Sequence, residues 1–169
     1  MVLYTAHERG RGMLETLALP DTQLELMLGV QPEESLEWQA ELDGSYTGWH
    51  DVESADQLIA IAQSITAEDD WFTVQTKDLD EQPSGRYAQA ANTGKGYLVE
   101  VAQIDGNTTH NWRIGMGAAA DDSGNLPHEE PEDNQILSFA AVTEVLVSWL
   151  HGRGLPSGYG AALKVYRSA

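Results

Sequence analysis

Alternating apolar and polar residues predict half-buried β-strands in five segments of the chain. Successive side chains of a strand point to opposite faces, so this alternation allows one face to be buried. The segments lie at residues 22–28, 35–42, 70–77, 86–92 and 96–104.

Turn residues are expected to join the later segments into an antiparallel meander. The proline and glycine of DLDEQPSG (78–85) predict a reversal of the chain. Further reversals are predicted at 93–95 (Thr-Gly-Lys) and at 105–107 (Asp-Gly-Asn), the second leading into a strand at 108–117. We therefore expect four antiparallel strands within residues 70–117.

A first amphipathic helix is predicted over residues 54–66, where apolar residues recur at helical spacing. Ser54 is followed three residues later by Gln57, which is the capping-box pattern of a helix start. One face of this helix carries apolar side chains that can be buried, namely Leu58, Ile61, Ala62 and Ile65.

A second amphipathic helix is predicted over residues 135–151. Asn134 is the expected N-cap, and Glu132 and Asp133 would place negative charge at the positive end of the helix dipole. Gly152 is the expected stop. The apolar stripe indicates a helix that faces the core, and it consists of Phe139, Val142, Val145, Leu146, Trp149 and Leu150.

These elements predict one α+β domain over residues 1–169. Two main amphipathic helices, 54–66 and 135–151, are expected to pack on an antiparallel β-sheet meander. Residues 1–45 would supply N-terminal strands or an extension. A chain of 169 residues is long enough for a single domain with its own core.

The glycine-rich segment GRGLPSGYG (152–160) has the wrong polarity for a phosphate-binding loop. Such loops connect a strand to a helix N-terminus, where free N–H groups converge on the anion. This segment instead leaves the C-terminus of a predicted helix and enters a strand. Gly152 and Gly154 are therefore interpreted as C-cap positions of a hinge, with Arg153 near the negative end of the dipole.

Charge is the most unusual property of the composition. The chain has 9 basic and 27 acidic residues, a formal net charge of −18. Sixteen of the acidic residues lie within 21–90, together with two basic ones, Lys77 and Arg86. Such a field repels nucleic acid and anionic membranes and attracts basic partners. The alternative is an acidic surface that only maintains solubility, as in salt-adapted organisms.

Composition also excludes several classes of protein. The absence of cysteine excludes a disulfide scaffold, a thiolate zinc site and a cysteine nucleophile. No apolar run approaches the roughly 20 residues of a membrane helix. The N-terminal MVLYTAHERG places charge after a short apolar start, unlike a signal peptide. We therefore expect a cytoplasmic protein that binds neither membranes nor nucleic acid.

The sequence carries no recognisable catalytic motif. TGKG (93–96) lacks the first glycine of a P-loop and the hydroxyl residue after the lysine, and HExxH and G-x-S-x-G are missing. The five histidines are scattered, and carboxylate pairs carry little information among 27 acids. We expect a protein that is not an enzyme and that has no metal or cofactor.

The order of elements resembles immunity proteins of bacterial polymorphic toxin systems, most closely the first-numbered, deaminase-associated family. The resemblance covers about residues 50–169. It depends on a capped helix (SADQLIAIAQSI), a tryptophan-bearing strand (DWFTVQT), a meander containing YLVEVA and NWRIG, and an acidic, proline-rich segment. An amphipathic helix that runs into G-x-G-x-P and a last strand completes it.

The resemblance implies a small cytosolic inhibitor that binds a cognate toxin as a 1:1 complex and occludes its active site. The toxin would be a deaminase, a nuclease or an NAD glycohydrolase with a basic cleft. Aromatic anchors ringed by polar contacts would supply affinity, and acidic residues would supply steering. The candidate toxin-binding residues are Trp49, Asp51, Glu53, Asp78, Asp80, Glu81, Asp121, Asp122, Glu129 and Glu130.

Other interpretations remain open. Trp49 lies in SYTGWHD before a helix cap, where it is either exposed or a core residue that covers a sheet edge; Trp38, Trp71 and Trp112 are assigned to the core. The whole protein could instead be an acidic secretion chaperone or a DNA-mimic binding module. A third possibility is a carboxylate-based enzyme with a divalent metal in the acidic segment 118–134.

Overall fold

A computed structural model describes residues 29–117 and 131–167, together with the backbone of residues 13–18. The strand predicted at 22–28 lies outside the described residues, as does most of the acidic segment 118–134.

The described residues form nine strands, two α-helices and a short 3-10 helix at Asp133–Gln135. Helix α1 spans Ala55–Ser64, and helix α2 spans Phe139–Leu150. The strands are β1 Met13–Ala18, β2 Ser35–Leu42, β3 Ser45–Tyr46, β4 His50–Asp51, β5 Trp71–Lys77, β6 Pro83–Asn92, β7 Tyr97–Asp105, β8 Thr108–Met116 and β9 Tyr159–Arg167.

All strands belong to one antiparallel sheet in the order β1-β9-β8-β7-β6-β5-β2-β3, with β4 also paired to β2. Consecutive strands β5 to β8 are neighbours, so the predicted four-stranded meander is confirmed. Strand β9 follows α2 and pairs with β8. The predicted α+β class, with two helices on an antiparallel sheet, is confirmed.

Both helices pack on the same face of the sheet and form one apolar core with it. The apolar stripes predicted for α1 and α2 face this core: Leu58 of α1 and Leu146 of α2 are buried, whereas Phe139 and Leu150 at the ends of α2 are partly buried. The sheet contributes Phe72 and Val74 from β5, which are fully buried, and β-branched and aliphatic residues from its neighbours. Alternation along the strands therefore directs apolar residues to the helices, as the sequence indicated.

The reversal between β5 and β6 is shorter than predicted. It spans residues 78–82, and Pro83 and Gly85 lie within β6, so the prediction of a turn through residue 85 is wrong. Asp78 Oδ1 accepts the N–H groups of Asp80 (2.9 Å) and Gln82 (3.1 Å), and these bonds close the turn early. Gly85 is required by packing instead, since a Cβ there would lie 2.7 Å from the Ile104 carbonyl oxygen of β7.

Helix α1 starts at the predicted N-cap. The N–H of Gln57 donates to Ser54 Oγ at 3.1 Å. The reciprocal bond of a capping box is displaced by one residue, because the Gln57 side chain accepts from the N–H of Glu53 rather than of Ser54.

Helix α2 starts four residues later than predicted, and Asn134 is not its N-cap. Leu137 and Tyr97 exchange two backbone hydrogen bonds of 2.8 and 2.9 Å, which hold residue 137 in an extended conformation against β7. The helix can begin only beyond this bridge, where Ser138 Oγ accepts the N–H of Ala141. Glu132 and Asp133 belong to the separate 3-10 helix, so they do not cap α2.

The segment 152–160 connects the C-terminus of α2 to β9, as predicted for a hinge. Gly152 and Gly154 have φ values of 67° and 76°, in the left-handed region that glycine adopts after a helix. A Cβ on Gly152 would lie 2.8 Å from the Val30 carbonyl oxygen, so close approach of the chain adds a second requirement for glycine.

The other face of the sheet carries a row of buried polar residues. Cross-strand partners in register join Gln39, Thr73, Gln89, Glu100 and Arg113 across five adjacent strands. Glu100 accepts from Gln89 Nε2 and from Arg113 Nε, both at 3.1 Å. Burial alone raises the pKa of Glu100, but the charges of Arg113 and Lys164 and the bonds from Gln89 and Asn111 outweigh it and lower the pKa. The sheet therefore holds an ionised carboxylate at its centre.

We predict that replacing Ser138 with Ala lowers the free energy of unfolding by about 1 kcal/mol, because the N–H of Ala141 loses its acceptor. Asn134→Ala is the matched control, with an expected change below about 0.5 kcal/mol. Urea denaturation followed by circular dichroism measures both. Equal losses would contradict the assignment of Ser138 as the N-cap.

Glu100 also predicts a pH dependence of stability. Its folded pKa lies below the ordinary value of 4.5, so its ionised form contributes stability above pH 4.5. This contribution is lost as the pH falls from 4.5 through the folded pKa. We expect Glu100→Gln to be less stable than the parent at neutral pH and to lose less further stability on acidification, as measured by urea denaturation at a series of pH values. Parallel curves for the two proteins would disprove the assignment.

Candidate functional site

Two very short strands, β3 and β4, pair with the outer side of β2. After the tight turn at Asp43 and Gly44, β3 pairs Tyr46 with Glu41. Strand β4 then pairs His50 with Trp38 and Asp51 with Glu37. We call the surface formed by Tyr46, Trp49, Asp51, Glu53 and the turn 78–82 the acidic edge.

Two aromatic side chains of the acidic edge are exposed to solvent. Tyr46 is 57% exposed and Trp49 is 38% exposed. The Tyr46 hydroxyl donates to Gln39 Oε1, and its ring lies 6.4 Å from that of Trp71. Trp71 in turn donates from Nε1 to Glu41 Oε2 at 3.2 Å. The Tyr46 ring is therefore anchored at its tip while more than half of the side chain stays exposed.

Lys77 connects strand β4 with the turn 78–82 within the acidic edge. Its Nζ lies 2.8 Å from Asp51 Oδ1, 2.8 Å from Glu81 Oε2 and 3.9 Å from Glu37 Oε2. The lysine side chain is only 7% exposed, whereas those of Asp51 and Glu81 are 77% and 71% exposed. Hydrogen bonds to Asp51 and Glu81 raise the pKa of Lys77 above its ordinary value despite the opposing effect of burial. Lys77 thus ties β4 to the turn 78–82 across β2.

The turn 78–82 presents an exposed apolar residue among carboxylates. Leu79 is 82% exposed at its tip and is flanked by Asp78 and Asp80. Asp78 has a structural role, because its carboxylate accepts two backbone N–H groups of the turn. Asp80 and Leu79 are left to face solvent at the end of the sheet.

The structure brings six of the predicted toxin-binding residues to one surface. Asp51 and Glu81 meet at Lys77, while Trp49, Glu53 and Asp80 lie exposed along the same edge. Asp78 is also in this region, as part of the turn. The remaining predicted residues, Asp121, Asp122, Glu129 and Glu130, lie outside the described residues.

The three tryptophans assigned to the core have different degrees of burial. Trp112 is buried, at 7% exposure, and Trp38 packs partly buried against the main core. Trp71 packs with Ala91 and Leu98 in a separate cluster on the polar face of the sheet.

Tyr46, Leu79 and Lys77 were not predicted as site residues. Tyrosine and leucine side chains are ordinarily predicted to lie in the core. Here Tyr46 is exposed because it lies in the two-residue strand β3, and Leu79 is exposed because it lies in the short turn 78–82. Lys77 did carry a signal, since it is one of two basic residues within 21–90.

A cleft of about 600 Å³ adjoins the acidic edge. It lies between the start of β2, the link from β4 to α1 and the C-terminus of α2, and its walls include Val30, Leu36, Val52 and Leu150. Glu53 belongs both to this cleft and to the acidic edge. Glu34 also lines the cleft and forms an ion pair of 2.7 Å with Arg86.

Within residues 29–117 and 131–167, no group of three or more His, Asp and Glu side chains is arranged to hold a metal ion. Neither helix in the described part of the chain has the length and apolar character needed to cross a membrane. Comparisons with protein-family models, curated proteins and solved structures find no match to this chain.

Replacing Lys77 with Met is expected to lower the free energy of unfolding by about 1 kcal/mol, with a smaller loss at high salt because both close carboxylates are exposed. Because the pKa of Lys77 is raised in the folded protein, the ammonium contributes its full stabilisation at every pH below the ordinary pKa of 10.5. This stabilisation is lost only as the pH rises through the pKa of the folded state. The loss should therefore be equal at about pH 6 and about pH 9.

Chemical denaturation at two salt concentrations and both pH values measures this effect. Lys95→Met is the matched control, since Lys95 is an exposed lysine in the turn before β7. A loss for Lys77→Met no larger than for Lys95→Met would show that the ion cluster adds nothing to stability.

Proposed function

We propose that this chain is a toxin-neutralising immunity protein that binds the catalytic domain of a cognate bacterial toxin and occludes its active site. The observation that carries this proposal is the acidic edge, where exposed apolar and aromatic side chains stand among carboxylates. In this proposal the protein acts in the cytoplasm as a 1:1 inhibitor, is not an enzyme and uses no cofactor.

The layout of the acidic edge suits a protein interface. Tyr46 is opposite Glu41 at one end of β2, and the turn 78–82 follows Lys77, which pairs with Ser35 at the other end. Six residues of strand separate these ends, about 20 Å at roughly 3.3 Å per residue. A typical interface covers about 800 Å² on each partner, which a surface of that length can supply.

The charge of the chain supports a basic partner. A net charge of −18 would accelerate encounter with a toxin whose cleft binds nucleic acid or a nucleotide. Charge at the rim contributes mainly to the association rate, while buried anchors contribute most of the affinity. Leu79, Tyr46 and Trp49 are the residues of the acidic edge that could serve as anchors.

The partner can be identified by tagging the protein in its native host and purifying it at low and at physiological salt. The proposal expects one stoichiometric partner that carries a toxic domain, is retained at physiological salt and is no longer toxic when the two are co-expressed. A ladder of basic proteins that is lost as salt rises would contradict it. Recovery of a DNA-binding protein or a secreted substrate would favour the DNA-mimic or chaperone alternative.

With the partner in hand, Leu79→Ser combined with Asp80→Lys is expected to weaken binding by roughly 30-fold or more, the effect of losing a hot-spot residue of 2 kcal/mol. Calorimetry measures the affinity, and co-expression measures neutralisation. Asp133→Lys is the control for charge, because Asp133 is exposed in the 3-10 helix beside β8, four strands away from β2. An equal effect of the two variants would show that only the overall charge matters.

A further inference from the structure

We propose that the acidic edge binds arginine side chains of its partner in preference to lysine, with Tyr46 and Trp49 as stacking surfaces. This inference rests on the proposed function only in taking the partner to be a basic protein. It concerns which cation the surface selects.

The Tyr46 ring is held in place at its hydroxyl, and most of the side chain is exposed. Its hydroxyl is bonded to Gln39, and its ring lies against Trp71, yet more than half of the side chain is exposed. Glu41 lies directly opposite on β2. A planar cation that stacks on Tyr46 would therefore have a carboxylate beside it.

Trp49 is placed along the same edge by the backbone on either side of it. The N–H of Thr47 donates to the Ala40 carbonyl at 2.9 Å, and His50 pairs with Trp38. Trp49 therefore lies on the short link between β3 and β4, which runs beside residues 38–40 of β2. Asp51 and Glu53 follow it at two and four residues, so this second aromatic is also close in sequence to exposed carboxylates.

Arginine fits this arrangement better than lysine does. A guanidinium group is planar, weakly hydrated and able to stack on an aromatic ring while it donates two parallel hydrogen bonds to a carboxylate. An ammonium group is a strongly hydrated point charge without a face to stack. The edge already contains its own lysine, Lys77, and this ammonium is bound by Asp51 and Glu81 rather than by an aromatic ring.

The test uses two synthetic peptides of equal length and charge, one alternating glycine with arginine and the other glycine with lysine. Titration into ¹⁵N-labelled protein at physiological salt gives both affinities and maps the sites from shift changes. We expect the arginine peptide to bind at least about fivefold more tightly, the effect of an advantage of about 1 kcal/mol for stacked guanidinium groups over ammonium groups at the two rings. The largest shifts should include Tyr46 and the indole of Trp49.

The double variant Tyr46→Leu and Trp49→Leu is expected to bind both peptides with equal affinity, since its charge is unchanged. Tyr46→Phe keeps the ring and should keep most of the preference, and the ¹⁵N spectrum of the double variant shows directly whether that variant is folded. Met116→Ser is the control for exposed apolar surface, because Met116 is 48% exposed on β8, four strands from β2.

Equal affinity of the parent protein for the two peptides would overturn the arginine inference. Binding of neither peptide would overturn it as well, and so would a preference that survives in the double variant. None of these results affects the outcome of purification and neutralisation in the native host, so the failure of this inference and the failure of the proposed function are distinguishable.

Discussion

An ionised carboxylate at the centre of the sheet constrains the rest of the fold. Glu100 is buried, and a buried charge is tolerated only when cations and hydrogen-bond donors surround it. Its partners come from neighbouring strands in exact register, so a slip of one residue would move them to the other face. The polar row thus fixes the pairing of strands, and the helices and apolar core can occupy only the opposite face.

Lys77, at the margin of the sheet, is a second buried charge that is balanced by groups of opposite charge, but here the balancing groups are exposed. Its ammonium is nearly buried while its two close carboxylates remain exposed. Part of the negative charge of the acidic edge is therefore used internally, to connect β4 with the turn 78–82. The carboxylates of Glu53 and Asp80 are exposed, beside the exposed Leu79 and Trp49.

The fold was more predictable from the sequence than the site was. Alternation and turn residues located the meander, because they report local backbone preferences and the burial of one face. The predicted start of α2 was wrong, because the bridge between Leu137 and Tyr97 is a contact between distant residues that no local pattern encodes. The sequence identified Asp51 and Glu81 as candidate binding residues, because acidic residues are visible in it. Their contact through Lys77, and the exposure of Tyr46 and Leu79, depend on contacts between distant residues and became visible only in the structure.

The backbone of β2 gives the acidic edge a further property. Its outward carbonyl groups at Leu36 and Ala40 already accept N–H groups from Val52 and Thr47. A foreign strand finds few free main-chain groups there, so this margin resists templated polymerisation. A ligand at this margin is therefore distinguished mainly by side chains. Point substitutions can therefore change such a surface while the sheet beneath it stays unchanged.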